Sequence, residues 1–259
     1  MVKAAELIHT SRENLTKNEQ LFWNKLLANA HKRAPNDEGQ WEIPKKELLF
    51  GGHGSTDRIL PTLEALVDTR ITVSIERNGR STKEVMTMLA WARIPDDRQG
   101  VVQYRFVPEL LEVLDLSNHW GLLRWDIMNA MASKYALALY ELGQQRVNLN
   151  FKWSEDISLG KFRELLGVEA GKLKRYDLFN RKAIRPAVQQ VNALAEFHVD
   201  VEPLKTGRAV TDIRLKWYKK EGDELRAAYE ELRRHSAGRK ARIAGTVEDV
   251  QITLPRENR

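Results

Sequence analysis

The chain has no cysteine among its 259 residues, which excludes a disulfide framework, a thiolate metal site and a thiol nucleophile. No apolar run approaches the roughly 20 residues needed to span a bilayer. Met1 to Thr10 also lacks the basic-then-apolar order of a signal peptide, so a soluble cytoplasmic protein with no membrane partner is expected. The six histidines stand at 9, 31, 53, 119, 198 and 235, and no two are spaced as paired metal ligands. The run Gly51-Gly52-His53-Gly54 lacks the Gly-Lys-Ser/Thr ending of a P-loop, and no acidic pair closes a strand pattern as metal-dependent polymerase chemistry would want. Tyr135 and Tyr140 sit in an amphipathic stretch where packing is the default use of a tyrosine. The expectation is therefore a protein that is not an enzyme, with no catalytic residue, no metal and no cofactor.

What is abundant is positive charge in one place. The whole chain carries a formal +6, yet Lys172 to Lys220 alone holds twelve Lys/Arg against five Asp/Glu, so the remainder is close to neutral. A basic surface confined to one segment suits a nucleic-acid backbone, whose neutralisation releases counterions and supplies much of the affinity. With 42% hydrophobic residues, the chain can bury one large core or, more typically, two domains of about 100 to 150 residues each.

The first half reads as helices followed by a hairpin. Thr16 with Glu19 three residues on forms a capping-box pattern, and Phe22, Leu26, Leu27 and Ala30 then share one face of a helix ending near Pro35. Trp41-Glu42-Ile43 predicts a short strand, Lys45 to Phe50 a second helix, and the glycines at 51, 52 and 54 a break. A third helix from Ser55 or Thr56 turns Ile59, Leu60, Leu63, Leu66 and Val67 inward. Ile71, Val73 and Ile75 alternate with polar residues, Arg77-Asn78-Gly79-Arg80 supplies an Asn-Gly turn, and Ser81 to Trp91 is expected as the returning strand. Val101 to Phe106 reads as another strand and Pro108 to Leu116 as a helix. One long amphipathic helix is then expected from Asp126 to Leu142, with Met128, Met131, Tyr135, Ala138 and Leu142 on its stripe.

The second half repeats the plan. Ser158 caps a helix that Gly167 stops, and Gly171 precedes a longer one from Lys174 to Leu194. Phe197, Val199 and Val201 alternate in a strand, Lys205-Thr206-Gly207-Arg208 turns, and Val210 to Trp217 returns. Ile59-Leu60-Pro61 ahead of the first hairpin parallels Ile184-Arg185-Pro186 ahead of the second. On the long helix Tyr176, Phe179, Ala183, Ala187, Val191 and Leu194 gather on one face, which sends Lys174, Arg181, Lys182, Arg185 and Gln189 to the other. Arg can pair with guanine, Gln with adenine, and Lys with phosphate. An ordinary solvated face has the same composition, but Lys205 and Arg208 at an adjacent hairpin tip favour DNA. Lys172 and Arg175, beside the start of the same helix, join the candidate contacts. In the first half Arg58, Arg77, Arg80 and Lys83 are auxiliary candidates, opposed by Asp57, Glu64 and Asp68. The apolar hairpin there serves equally well as a subunit contact.

The run Ser133-Lys134-Tyr135-Ala136-Leu137-Ala138-Leu139-Tyr140-Glu141-Leu142, then Ile157-Ser158-Leu159 and Leu165-Leu166-Gly167-Val168, resembles the iteron-plasmid replication initiators. Lys174-Arg175-Tyr176-Asp177-Leu178-Phe179, Arg185-Pro186-Ala187, Val191-Asn192 and Val201 through Arg208 extend the resemblance into a second winged helix. Arg185 departs from the acidic residue expected before the proline. The resemblance implies an α+β fold of two tandem winged-helix domains joined by a long helix. Residues 1–14 would be an N-terminal arm and 15–124 the first domain, for dimerisation and auxiliary DNA contact. Residues 125–220 would be the linking helix with the main DNA-binding domain, whereas the charged, balanced stretch 221–259 is expected as a tail, mobile from Ala237, from its own composition and not from the resemblance. It further implies binding to repeated double-stranded sites (iterons) at a plasmid origin, local duplex opening, and recruitment of a host initiator and replicative helicase. A monomer-dimer equilibrium would let the dimer repress its own promoter over an inverted repeat. A winged-helix transcriptional regulator without initiator activity is the alternative, since one fold serves both tasks. A metal-dependent nicking initiator is disfavoured by the missing histidine pair.

Overall fold

Residues 2–4, within the expected N-terminal arm, form a strand of a two-stranded sheet. The computed structural model describes residues 1–10, 13–49, 56–77, 79–97, 100–116, 120–149 and 151–246. In it β1 (Val2–Ala4) pairs antiparallel with residues 120–122 and runs into the short α1 (Ala5–Ile8). The capping box then starts α2 (Lys17–Lys32): Glu19 N donates to Thr16 Oγ1 at 3.3 Å and Thr16 N donates to Glu19 Oε2 at 2.7 Å. Next come β2 (Trp41–Pro44), α3 (Lys45–Leu48), a 3-10 turn Thr56–Arg58 and α4 (Ile59–Asp68). The glycine run at 51–54, with Phe50 and Ser55, lies outside the described residues.

The first hairpin forms, but its sheet differs from expectation. β3 (Arg70–Arg77) and β4 (Arg80–Thr87) pair from Arg70↔Thr87 to Arg77↔Arg80 and stand alone as a two-stranded sheet. Gly79 takes φ 73°, the positive value a two-residue hairpin turn demands; Asn78 lies outside the described residues. The return strand stops at Thr87, and β5 (Trp91–Arg93) belongs to another sheet, ordered β2-β6-β5, with β6 (Val101–Arg105) central. Ile71, Val73 and Ile75 are buried in the first core with Trp23, Tyr104 and Phe106. α5 (Pro108–Leu116) and β7 (Trp120–Leu122), the partner of β1, complete this half.

The long helix expected from Asp126 to Leu142 is two helices, α6 (Trp125–Ala130) and α7 (Lys134–Arg146). Met131 turns extended at ψ 133°, and Ser133 caps a new start by accepting from Ala136 N at 3.1 Å. Serine competes with continuous helix for backbone groups and favours the cap. Nor is α7 simply amphipathic, because every residue from Ala136 to Arg146 is buried. Lys3 and Glu141 form a fully buried pair at 2.9 Å, with Asn24 bonded to both at 2.8 and 2.7 Å. On another side Gly143 lies against Phe197, whose Cε2 would be 2.3 Å from an added Cβ.

The second half folds around α7. β8 (Ser154–Ser158) leads to α8 (Leu159–Leu165), and the expected helix through Leu194 forms as α9 (Tyr176–Phe179), a π turn Asn180–Ile184, and α10 (Arg185–Leu194). Arg185 N donates to Asn180 O, five residues back. Pro186 has no N–H and its ring crowds the carbonyl four residues earlier, so the turn widens ahead of it. β9 (Phe197–Thr206) and β10 (Ala209–Lys219) form the wing, and β8 pairs with β10 to give the order β8-β10-β9.

The tail expected to be mobile from Ala237 is folded through residue 246, while 247–259 lie outside the described residues. α11 (Gly222–Arg233) is followed by α12 (Arg239–Ile243). Glu231 gathers this turn: Arg242 grips it through two bonds of 2.7 and 3.0 Å, and Arg239 Nη2 donates to the carbonyls of Leu232 and Arg234 at 3.1 and 2.9 Å.

Candidate nucleic-acid interface

The face of α9 and α10 away from the core is set by apolar spacing. Phe179, Ala183, Ala187, Val191 and Leu194 are buried, while Arg181, Lys182 and Arg185 are exposed and Gln189 is half-buried. The loop leading in is held by its own packing. Gly171 (φ 78°) and Leu173 (φ 47°) both take left-handed backbone, and Leu173 is kept there by contact with the second core. Lys172 and Lys174 on either side of it are exposed. Arg163 of α8, which its sequence context does not single out, lies 4.4 Å over the Phe179 ring and donates to Lys174 O at 3.0 Å.

Charge becomes more one-sided in three dimensions than in the sequence. Of the twelve cations from Lys172 to Lys220, four have described partners. Arg175 forks onto Asp177 at 3.0 and 2.7 Å and holds that carboxyl below its ordinary range. Arg214 forks onto Asp156 at 2.8 and 2.9 Å, and Lys216 bonds Glu202. Buried Lys220 caps the end of α10 through the carbonyls of Asn192 and Ala195, and its burial lowers the amine to about 8. Lys172, Lys174, Arg181, Lys182, Arg185, Lys205, Arg208 and Lys219 keep side chains without a hydrogen bond or ion pair among the described residues. Lys205 and Arg208 flank the wing tip, where Gly207 (φ 63°) turns the chain.

Two sequence candidates stand differently. Gln189 lies in a cleft shared with Lys17, Pro186, Gln190 and Lys240, because α12 runs alongside α10. Arg77 is bound on the first hairpin by Glu84 at 2.9 Å and Glu112 at 2.7 Å. Arg58, Arg80 and Lys83 are exposed, with no side-chain partner among the described residues. Tyr140 is fully buried, stacked on Phe197 at 5.9 Å, and its hydroxyl accepts from Arg124 N at 3.0 Å, so it is a packing residue.

Helix, strand, two further helices and a hairpin, present twice in order, define a tandem winged-helix protein of the DNA-binding class. The model described as Initiator Replication protein, WH1, matches residues 1–144, and that described as Initiator Rep protein, WH2, matches 158–217. The chain belongs to this initiator Rep family. Among solved structures, Pi initiator protein in complex with iteron DNA is similar with a TM-score of 0.54 and 16% identity, over 86% of this chain and 98% of that one. A structure of domains 2 and 3 of RctB is similar with a TM-score of 0.45 and 11% identity, over 83% and 85%. No curated protein sequence matches the chain.

Proposed function

We propose that the protein initiates plasmid replication by binding repeated double-stranded sites at the origin, with α10 in the major groove and the wing on the flanking backbone. The observation that carries this is the set of cations in the loop before α9, on the π turn, at the start of α10 and at the wing tip, without partners among the described residues and set on a winged helix. Family membership supports the replication role, and the iteron DNA named for the Pi initiator structure supports the type of site. Arg181 and Arg185 read base edges, while Lys172, Lys174, Lys182, Lys205 and Arg208 position the backbone. Bending or opening the adjacent duplex costs free energy that contacts from both units offset.

In the first unit Arg58, Arg80 and Lys83 are the auxiliary contacts. Subunit pairing falls to the hairpin: Ile71, Val73 and Ile75 are spent on the core, so the outer edge of β4 with the exposed Val85 is what a second copy would meet. A two-fold dimer suits an inverted repeat at the promoter and a monomer suits direct repeats. Recruitment of a host initiator and helicase follows duplex opening.

The test is footprinting of the full chain on DNA flanking its coding region. Protection of direct repeats about two helical turns apart is expected. Protection of an inverted repeat alone favours the transcriptional regulator.

A further inference from the structure

The surroundings of α10 are asymmetric in a way the wing alone does not explain. Counting about 100° per residue from the buried stripe Ala187, Val191 and Leu194, Val188 and Asn192 lie roughly 100 to 140° to one side. Pro186, Gln190 and Ala193 lie roughly 60 to 120° to the other, and Arg185 and Gln189 point outward between them. The first side belongs to the wing, where the Asn192 amide bonds both Val199 N and Val199 O at 2.8 and 2.9 Å. The second side belongs to α12, since Pro186, Gln189 and Gln190 share a cleft with Lys240 and Ile243. Gln190 Oε1 fixes the floor of that cleft by accepting from Ala132 N at 2.7 Å.

A helix about 10 to 12 Å across fills a major groove about 12 Å wide. Elements on its two flanks therefore face the two phosphate walls. The charge of α12 fits that position. Residues 232–246 hold five cations, Arg233, Arg234, Arg239, Lys240 and Arg242, and no Asp or Glu. Arg239 and Arg242 are consumed in holding the turn against Glu231, whereas Lys240 is exposed with no partner among the described residues. α12 also lies beyond residue 217, where the second family match ends.

We infer that α12 is a second flanking clamp, in which Lys240 neutralises a phosphate on the groove wall opposite the one gripped by Lys205 and Arg208. This rests on the reading of α10 as the groove helix. The clamp carries no base preference, and it makes Gln189 part of the junction between α10 and α12 more than a reader of bases.

Fluorescence anisotropy of the full chain on a mixed-sequence duplex of about three helical turns tests it, with salt varied from about 50 to 200 mM. Lys240→Ala should lower the slope of log affinity against log salt by about 0.9, with an unchanged melting temperature, and Lys240→Arg should restore it. Arg208→Ala should lower the slope similarly. Arg233→Ala removes one charge from the same segment, on the side lined by Arg124, Asp126 and Tyr229, and should leave the slope intact. An unchanged slope in Lys240→Ala beside a lowered one in Arg208→Ala overturns the clamp and leaves the DNA reading standing. Equal losses in Lys240→Ala and Arg233→Ala overturn it too, as a general charge effect. Failure of the parent chain to bind duplex overturns the reading itself.

Discussion

In the second winged helix the strand before the helices joins the wing, giving the sheet β8-β10-β9, and Arg181, Lys182, Arg185 and the wing-tip cations have no partner among the described residues. In the first, β2 pairs instead with β6, the hairpin β3-β4 stands apart, and Arg77 on that hairpin is held by Glu84 and Glu112. One plan thus supports two surfaces, and the difference lies in where the carboxylates sit. The second unit ties Asp156, Asp177 and Glu202 to particular cations at its margins. The first unit mixes Arg58 with Asp57 and Glu64 on one exposed stretch. A phosphate backbone is favoured by net unneutralised charge, so the second unit is the stronger candidate by physical chemistry alone.

Both units are seated on α7, and the largest expected effect tests that seat. Lys3 and Glu141 are 138 residues apart in sequence and meet in full burial. Lys3→Met alone leaves the Glu141 carboxylate without its cation and should cost about 3 to 5 kcal/mol in denaturant unfolding. The double change with Glu141→Leu should recover much of that loss. A single change costing less than about 1 kcal/mol would mean the pair is no anchor.

A second polar contact at the same seat is pH-sensitive. His9 of α1 meets Gln145 at 2.7 Å and Arg146 at 2.8 Å, and burial, then the Arg146 charge, lower it to about 4 from the usual 6.5. The folded chain keeps His9 neutral where the unfolded chain is protonated. Its contribution is therefore complete above pH 6.5 and lost as pH falls toward 4, up to about 3 kcal/mol. Thermal melts at intervals across that window should show a steeper decline in the parent chain than in His9→Gln, and equal declines would remove His9 from the account.

Breaking the contrast in charge is the next test. Arg181→Ala and Arg185→Ala should each cost about 1 to 3 kcal/mol on a specific site and relax base preference. Lys205→Ala and Arg208→Ala should weaken specific and scrambled duplex alike. Arg77→Ala should change little, because its guanidinium is already paired. A loss at Arg77 equal to that at Arg185 would dissolve the distinction between the units.

These features were unequally visible in the chain. The helices α9 and α10 and the wing were legible because local periodicity settles them: a stripe of Phe179, Ala183, Ala187 and Val191, then alternation from Phe197 to Val201 ahead of a Gly turn. The exposure of Arg181, Lys182 and Arg185 followed from the same count. What local pattern cannot encode is a distant partner. Glu141 gives no sign of Lys3, Arg77 gives none of Glu112, and the β2-β6 pairing brings together Trp41 and Tyr104. The charged tail read as mobile because a cap made by Arg239 and Arg242 on Glu231 follows no familiar spacing. The π turn, by contrast, had its cause in view at Pro186.

The smallest expected effect concerns the break between α6 and α7, where periodicity ran on and the chain did not. Apolar spacing through Met128, Met131 and Tyr135 is compatible with one helix, but Ser133 accepts from Ala136 N and starts a second. Ser133→Ala removes that acceptor while raising helix propensity through the link, so two terms oppose. Loss of the cap costs about 1 kcal/mol, and the gain in propensity returns only a few tenths. The net should be a loss of somewhat under 1 kcal/mol in denaturant unfolding. The sign decides the point, since a stabilised variant would mean that the link gains more from continuous helix than from the serine cap. If continuity is favoured, the break is imposed by the packing of the two units on either side of it, and the pairing of Gln190 with Ala132 becomes the contact that enforces it.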